Sequence, residues 1–380
     1  MKAWPKRKIG DVLTRVKDDI QIDDFTTYGR ITIRMAGKGV ALRDRVIGSE
    51  IGTKRQFIAR TGQFVLSKID ARNGAFGVLP DDCDNAIVTG NFWVFDVDHS
   101  QLDSQFFNYL SKSPEFVAAC VAASDGTTNR RYLQEDAFLD MAVPIPDLGT
   151  QKVLVARLDA LAEKTRQLKA HLDAVERDAQ HLLALRFHDV IAGAPLRPMA
   201  EIAPLVRREQ SIDLNGSYPE LGIRSFGKGT FHKPPLSGGD VGTKRLYRIE
   251  PGDLLFSNVF AWEGAIAIAQ PDDVGRFGSH RFITCQANAE LTTAEFLRYY
   301  FLTDEGMLKI GEASPGGAGR NRTLGLEKLM AIEVPTPSLA AQQTFDRLQA
   351  EIAALKAKHT AIREANAALL PATLERVFNS

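Results

Sequence analysis

The chain repeats itself, and that repeat restricts it to two copies of one folding unit. Tyr28 to Gly39 reads YGRITIRMAGKG and Tyr218 to Gly229 reads YPELGIRSFGKG, a separation of 190 residues. The shared positions are Tyr28/Tyr218, Ile33/Ile223, Arg34/Arg224, Gly37/Gly227, Lys38/Lys228 and Gly39/Gly229. The same separation superposes Gly52-Thr53-Lys54-Arg55 on Gly242-Thr243-Lys244-Arg245, then Gly62/Gly252, Ser67/Ser257, Gly74/Gly264 and Phe92/Phe282. After about residue 125 the separation becomes 191, matching Arg131/Arg322, Leu133/Leu324, Pro144/Pro335, Pro146/Pro337 and Gln151/Gln342. Chance does not hold one register, with a single one-residue slip, over more than a hundred positions.

Each copy follows one plan. Short apolar runs punctuated by glycine, such as Phe64-Val65-Leu66, Phe92-Trp93-Val94-Phe95 and Leu254-Leu255-Phe256, have the length and content of strands. A short helix is expected around Asp103–Leu110 and Thr293–Phe301, followed by a Gly/Ser/Asn/Arg loop at 124–131 or 314–322. An apolar strand ending in Pro-x-Pro closes each unit, VPIP at 143–146 and VPTP at 334–337. The expected class is α+β, with two tandem mixed α/β globular units at 1–147 and 193–338.

After each Pro-x-Pro the period changes. Leu154, Leu158, Leu161, Thr165, Leu168, Leu172, Val175, Ala179 and Leu182 recur at alternating spacings of four and three, the seam of a coiled coil. A helix over about 150–187 would be roughly 55 Å long. A weaker version follows at Phe345, Leu348, Ile352, Leu355, His359 and Ile362, with Pro371 expected to kink or interrupt its last turns. Segments 148–192 and 339–380 are therefore read as two long spacer helices. They pair as an antiparallel coiled coil that relates the globular units by an approximate two-fold axis. The alternative is that each helix folds back on its own domain.

Formal net charge is zero, which by itself argues against a nucleic-acid partner, but the charges are segregated. From Arg30 to Arg72 ten Lys/Arg face three acids, from Asp81 to Asp125 eight acids face Lys112 alone, and from Arg224 to Arg248 six Lys/Arg face one acid. Cys83, Cys120 and Cys285 are odd in number and far apart, as expected of small core residues in a reducing cytoplasm. No apolar run approaches the ~18 residues of a membrane span, and the basic start MKAWPKRKIGDVL lacks a signal-peptide core.

This succession of unit, Pro-x-Pro and glutamine, long helix, and the same again resembles the specificity subunits of type I restriction-modification enzymes. The resemblance covers essentially the whole chain. Its most specific pieces are GIRSFGKGTFHKPPLSG (222–238), FSNVFAWEGA (256–265), PIPDLGTQ (144–151) and PTPSLAAQ (335–342). The first half departs from it, with VALR (40–43) and KIDARNGA (68–75) in place of the FHKP and FAWEGA segments. The family implies a non-catalytic reader of double-stranded DNA in which each domain reads half of a split target. It also implies docking of two methyltransferase subunits that carry S-adenosylmethionine and of restriction subunits that use ATP and Mg²⁺. No cofactor or metal is expected in this chain itself.

Duplex readers need cations for phosphates and forked donors for base edges. In the first unit the candidates are Arg34, Lys38, Arg43, Lys54, Arg55 and Lys68, with Asn129, Arg130 and Arg131 in the late loop. In the second they are Arg224, Lys228, His232, Lys233, Lys244 and Arg245, with Arg320, Asn321 and Arg322. For each, the bland alternative is a solvated surface charge. Gly-Thr-Lys-Arg, identical in both halves, is either a turn the fold requires or a phosphate contact. Trp262 is either a packed aromatic or part of the recognition surface. Leu154, Leu158, Leu161, Leu168, Leu172, Phe345, Leu348, Ile352 and Leu355 mark the docking helices. Because the domains differ, the target is expected to be asymmetric, with half-sites about 10 bp apart.

Catalytic signatures are missing. The chain has no G-x-x-x-x-G-K-[ST] loop, no Asn-Pro-Pro-aromatic motif and no G-x-S-x-G elbow. The Gly-x-Gly pairs lack a third glycine, and His280 with Cys285 falls short of a zinc site. Asp70, Asp253 and Glu263 read as turn and cap residues rather than a nuclease cluster. Two other function classes remain open on the residues: a reader in a type IIB-like or methylation-only complex, and a protein-binding scaffold that does not touch DNA.

Overall fold

A computed structural model describes residues 4–127, 130–316 and 322–378. The chain separates into two compact units, Met1–Asp173 with His359–Ser380, and Ala174–Lys358, so both long helices contribute to both units.

In the first unit an antiparallel four-stranded sheet (order Leu13–Val16, Phe92–Val97, Phe64–Ser67, Phe76–Val78) packs on the helices Ser104–Leu110 and Pro114–Ala122. Its core is aromatic: Phe64 meets Phe107 edge-on at 4.7 Å, and Phe76, Phe95, Phe106, Phe116 and Phe138 are buried around them. A five-stranded sheet follows in the order Asp19–Gln21, Arg55–Ala59, Ala86–Val88, Thr27–Arg34, Gly39–Ile47, which leaves Gly39–Ile47 on an edge. The second unit repeats this with Glu209–Gln210, Leu246–Arg248, Phe277–Ser279, Ser217–Ile223 and Thr230–Ser237. Its smaller sheet keeps three strands, and the fourth is reduced to a bridge between Leu205 and Cys285.

The expected short helices are Ser104–Leu110 and Ala294–Phe301. Asp103 and Thr293 precede them as N-caps, their side-chain oxygens accepting from backbone N–H groups of the first turn. The second pair, Pro114–Ala122 and Asp304–Ala313, is capped by Ser113 and Thr303, whose side-chain oxygens accept from the Phe116 and Gly306 N–H groups. Ser124 Oγ donates to Cys120 O and Ser314 Oγ to Ile310 O, still 190 residues apart, whereas the helices Glu135–Leu139 and Leu326–Met330 start 191 apart. The one-residue slip therefore falls between residues 124 and 135, as the register change required.

The long helices are Leu148–Ile191 and Leu339–Phe378, and the second continues through Pro371 rather than breaking there. Within the first unit their segments run antiparallel: Arg363 pairs with Asp173 at 2.6 Å, Asn366 Nδ2 donates to Thr165 O at 2.9 Å, and Leu158 shares a core with Leu374 and Phe378. Within the second unit, Leu183 and Phe187 join Phe345 and Ile352 in one core. Phe187 and Phe378, again 191 apart, play one role in different units: Phe378 packs on Trp4 and Phe106, and Phe187 on Phe296 and Phe345. Each unit is thus closed by the first half of one long helix and the second half of the other.

The heptad stays on the covered side for most of the stretch from Leu154 to Ala179 and shifts by one residue at its end. Leu168 is 37% exposed and Leu182 46% exposed, while Leu183 and Phe187 are buried in place of Leu182. An α-helix turns every 3.6 residues, so a 3.5-residue seam drifts around its surface by about 20° per heptad.

Candidate nucleic-acid interface

The motif IRxxGKG forms the turn of a β-hairpin on the sheet edge. In the first unit Thr27–Arg34 pairs with Gly39–Ile47, and in the second Ser217–Ile223 pairs with Thr230–Ser237. Gly37, Gly39, Gly227 and Gly229 all have positive φ, as do Ala36 (58°) and Phe226 (61°), so the glycines are demanded by the turn. The tip is tied down identically in both units: Ala36 and Gly37 N–H donate to Asn73 and Gly74 O, and Phe226 and Gly227 N–H to Glu263 and Gly264 O.

This hairpin gathers Arg34, Lys38 and Arg43 in the first unit, and Arg224, Lys228, His232 and Lys233 in the second. Each hairpin has a register shift, between Arg30 and Ile31 or between Pro219 and Leu221, which leaves Arg43 and Lys233 opposite the irregularity on the edge strand. Such bulges twist an edge and re-aim its side chains. Arg34, Lys38 and Lys233 form no ion pair among the described residues. Pro234 and Pro235 on the second edge strand discourage pairing with a further strand.

The chemistry of the two hairpins differs. In the first, Asp44 takes a two-pronged bond from Arg30 (2.7 Å to each carboxylate oxygen) and a third from Arg43 at 3.2 Å. These contacts hold the Asp44 carboxyl below the usual range, with the Arg30 hydrogen bonds the largest cause. In the second, Arg224 lies over the Phe231 ring at 5.0 Å and donates to Thr230 O, Lys228 sits over Phe226 at 5.7 Å, and His232 meets the buried Asp273 at 2.9 Å. Arg30, Asp44, Thr230 and Asp273 were not read as site residues. Asp273 stands 41 positions from His232, and only its counterpart in the other copy, Cys83, marks it as unusual.

Gly-Thr-Lys-Arg lies elsewhere, near the opposite end of the hairpin strands, roughly 25 Å from the tip by strand rise. Lys54 Nζ binds Asp24 and the Gly48 carbonyl, Arg55 reaches Asp19 at 3.2 Å, and Arg245 reaches Glu209 at 3.8 Å. Gly242 has a φ of 57°. Lys54 is thus tied internally, while Arg55, Lys244 and Arg245 stay exposed.

Lys68 and Arg131 also have internal contacts: Lys68 Nζ lies 5.9 Å from the Tyr132 ring centre, and Arg131 Nη2 donates to Ser124 O at 2.8 Å. Arg322 covers Trp262 at 5.5 Å, and the half-buried indole donates to Val259 O, so this tryptophan is both packed and accessible. Asn129, Arg320, Asn321 and the Arg130 side chain lie outside the described residues. Of the helix positions, Leu158, Phe345 and Ile352 are buried within their own units, Leu172 is buried, Leu154, Leu161, Leu348 and Leu355 are half-buried, and Leu168 is exposed. Among the described residues no His/Cys/Asp/Glu group is arranged to hold a metal, and no helix is long and apolar enough to cross a membrane.

The fold is a mixed α/β unit built twice, each copy carrying a basic edge hairpin and closed by parts of two long helices. Residues 1–177 match the family described as "Type I restriction modification DNA specificity domain". The HsdS subunit from Thermoanaerobacter tengcongensis superposes over 100% of this chain and 97% of its own, with a TM-score of 0.66 at 17% identity. A chain from a structure of complex assembly and conformational transition of the type I R-M system gives 0.70 at 18% identity, covering 100% and 98%. No curated protein sequence matches the chain.

Proposed function

We propose that this chain is the DNA-sequence-specificity subunit of a type I restriction-modification enzyme and that it reads a bipartite, asymmetric target. The observation that carries this reading is one scaffold, built twice in the same strand order of its larger sheet, bearing non-equivalent side chains on its two basic edge hairpins. Shared glycines and latches serve the fold, while the differing hairpin residues serve two different half-sites. Cations at the hairpin tips neutralise phosphates, and the groups along the edge strands meet base edges. The long helices offer exposed apolar side chains, among them Val153, Leu168, Leu185 and Leu369, to two methyltransferase subunits. Restriction subunits join that assembly. S-adenosylmethionine, ATP and Mg²⁺ belong to these partners, the chain itself is non-catalytic, and the complex works in the cytoplasm.

Co-expression with the cognate methyltransferase subunit, followed by mapping of N6-methyladenine across the host genome, tests the proposal. A single split, asymmetric methylated motif is the expected result. A stable complex that leaves no such motif would overturn the reader function and favour a protein scaffold.

A further inference from the structure

The two copies act as controls for each other. A costly buried group that one copy has and the other lacks is not required by their common scaffold. Asp273, 2% exposed at the end of the short helix Pro271–Asp273, is such a group. One of its carboxylate oxygens accepts from Thr230 Oγ1 at 2.9 Å and from the Gln270 N–H at 2.8 Å; the other meets His232 Nε2 at 2.9 Å. Thr230 and His232 are two residues apart on the edge strand, hence on one face of it. At the equivalent places in the first unit, 190 residues earlier, stand Val40, Leu42 and Cys83, which belong to an apolar cluster. The same backbone therefore accepts a greasy filling, whereas burying a carboxylate is unfavourable unless its bonds are satisfied.

What the acid does in the second unit follows from hydrogen-bond chemistry. An ionised carboxylate only accepts, so the proton of a neutral His232 ring sits on Nε2, and Nδ1 is left as an acceptor. Nδ1 has no hydrogen-bond partner among the described residues, and the side chain is 43% exposed on a strand with no further strand beside it. Lys233 follows it, and Arg276, which donates to Lys233 O at 3.4 Å, braces the strand from behind. We infer that His232, oriented by Asp273 and Thr230, determines specificity in the second half-site by accepting through Nδ1 from the exocyclic amino group of an adenine or a cytosine. Guanine and thymine present an acceptor at the corresponding major-groove position and would be rejected. Asp273 and Thr230 are positioning residues, and the first unit has no equivalent device. This inference rests on the reader function proposed above.

The test maps N6-methyladenine genome-wide for complexes carrying the wild-type chain, His232→Leu, and the triple variant T230V/H232L/D273C, which installs the filling already packed in the first unit. Both variants are expected to relax one base pair of the second half-site, with roughly tenfold less discrimination there, and to leave the first half-site unchanged. Methylation that falls equally at every site while both half-sites are still read would overturn the inference, because a purely structural cluster acts that way. So would an unchanged motif, or failure of the triple variant to assemble, since either shows that the scaffold needs the acid or that DNA ignores the ring. A wild-type complex without a split motif would instead overturn the reader function itself.

Discussion

Gln151 Oε1 accepts from the backbone N–H of Asp103 at 2.8 Å, tying the first turn of a long helix to the cap of a domain helix. Its amide nitrogen donates to Gln101 O and Pro146 O, so this fully buried side chain has its main bonding groups used. Gln342 repeats the latch: Oε1 accepts from the Thr293 N–H at 3.2 Å and from Thr292 Oγ1, and Nε2 donates to Leu291 O and Pro337 O. Globular unit and long helix are thereby joined by the same side-chain latch in both copies.

Gln151→Ala would remove the partner of the Asp103 N–H and of the Gln101 and Pro146 carbonyls. Urea unfolding should show a loss of about 3 kcal/mol. Gln167→Ala, on the exposed face of the same helix, should stay within about 0.5 kcal/mol of wild type. Equal effects of the two would show that the latch contributes nothing.

Phe378→Ala and Phe187→Ala each remove a ring from an aromatic cluster contributed by a distant part of the chain. Each should cost about 3–4 kcal/mol, read as a lowered denaturant midpoint. Limited proteolysis should place the loosening in the first unit for Phe378 and in the second for Phe187, because their contacts divide that way.

Lys38→Ala with Lys228→Ala, at the two hairpin tips, should weaken DNA binding by the methyltransferase complex without altering the methylated motif. If both contact phosphate, the slope of log K against log salt should fall by about 2, one for each lysine. An altered motif with an unchanged slope would show base reading at the tips instead.

Burial raises the thiols of Cys83 to about 11 and of Cys120 and Cys285 to about 12. Near pH 8 none should react with a thiol reagent until the chain is unfolded. A folded-state value above the unfolded one contributes stability at neutral pH and loses it progressively from about pH 9 as the unfolded thiols ionise. Midpoints measured from pH 8 to 10.5 should therefore fall for the wild type, and fall less for Cys120→Ala relative to its own value at pH 8.

The duplication, the class of fold, the strands at Phe64 and Phe92, the capped helices and both long helices were legible because each leaves a local trace. The traces are a repeated register, a change of period, a cap, or a pair of prolines. Gly37, Gly39 and their counterparts were visible for the same reason, since a positive φ requires glycine whatever surrounds it. Which half of each long helix closes which unit was not legible. A 3.5-residue repeat names an apolar stripe but not its partner, and the drift that exposes Leu182 and buries Leu183 depends on the packed geometry. Nor did sequence separate the clustered cations from the tethered ones. Lys38 and Lys54 read alike, yet only the fold carries Asp24 and the Gly48 carbonyl to Lys54 and leaves Lys38 open. The pairing of His232 with Asp273 belongs wholly to tertiary structure, because it brings an edge strand against a turn 41 residues away, and no local rule links them.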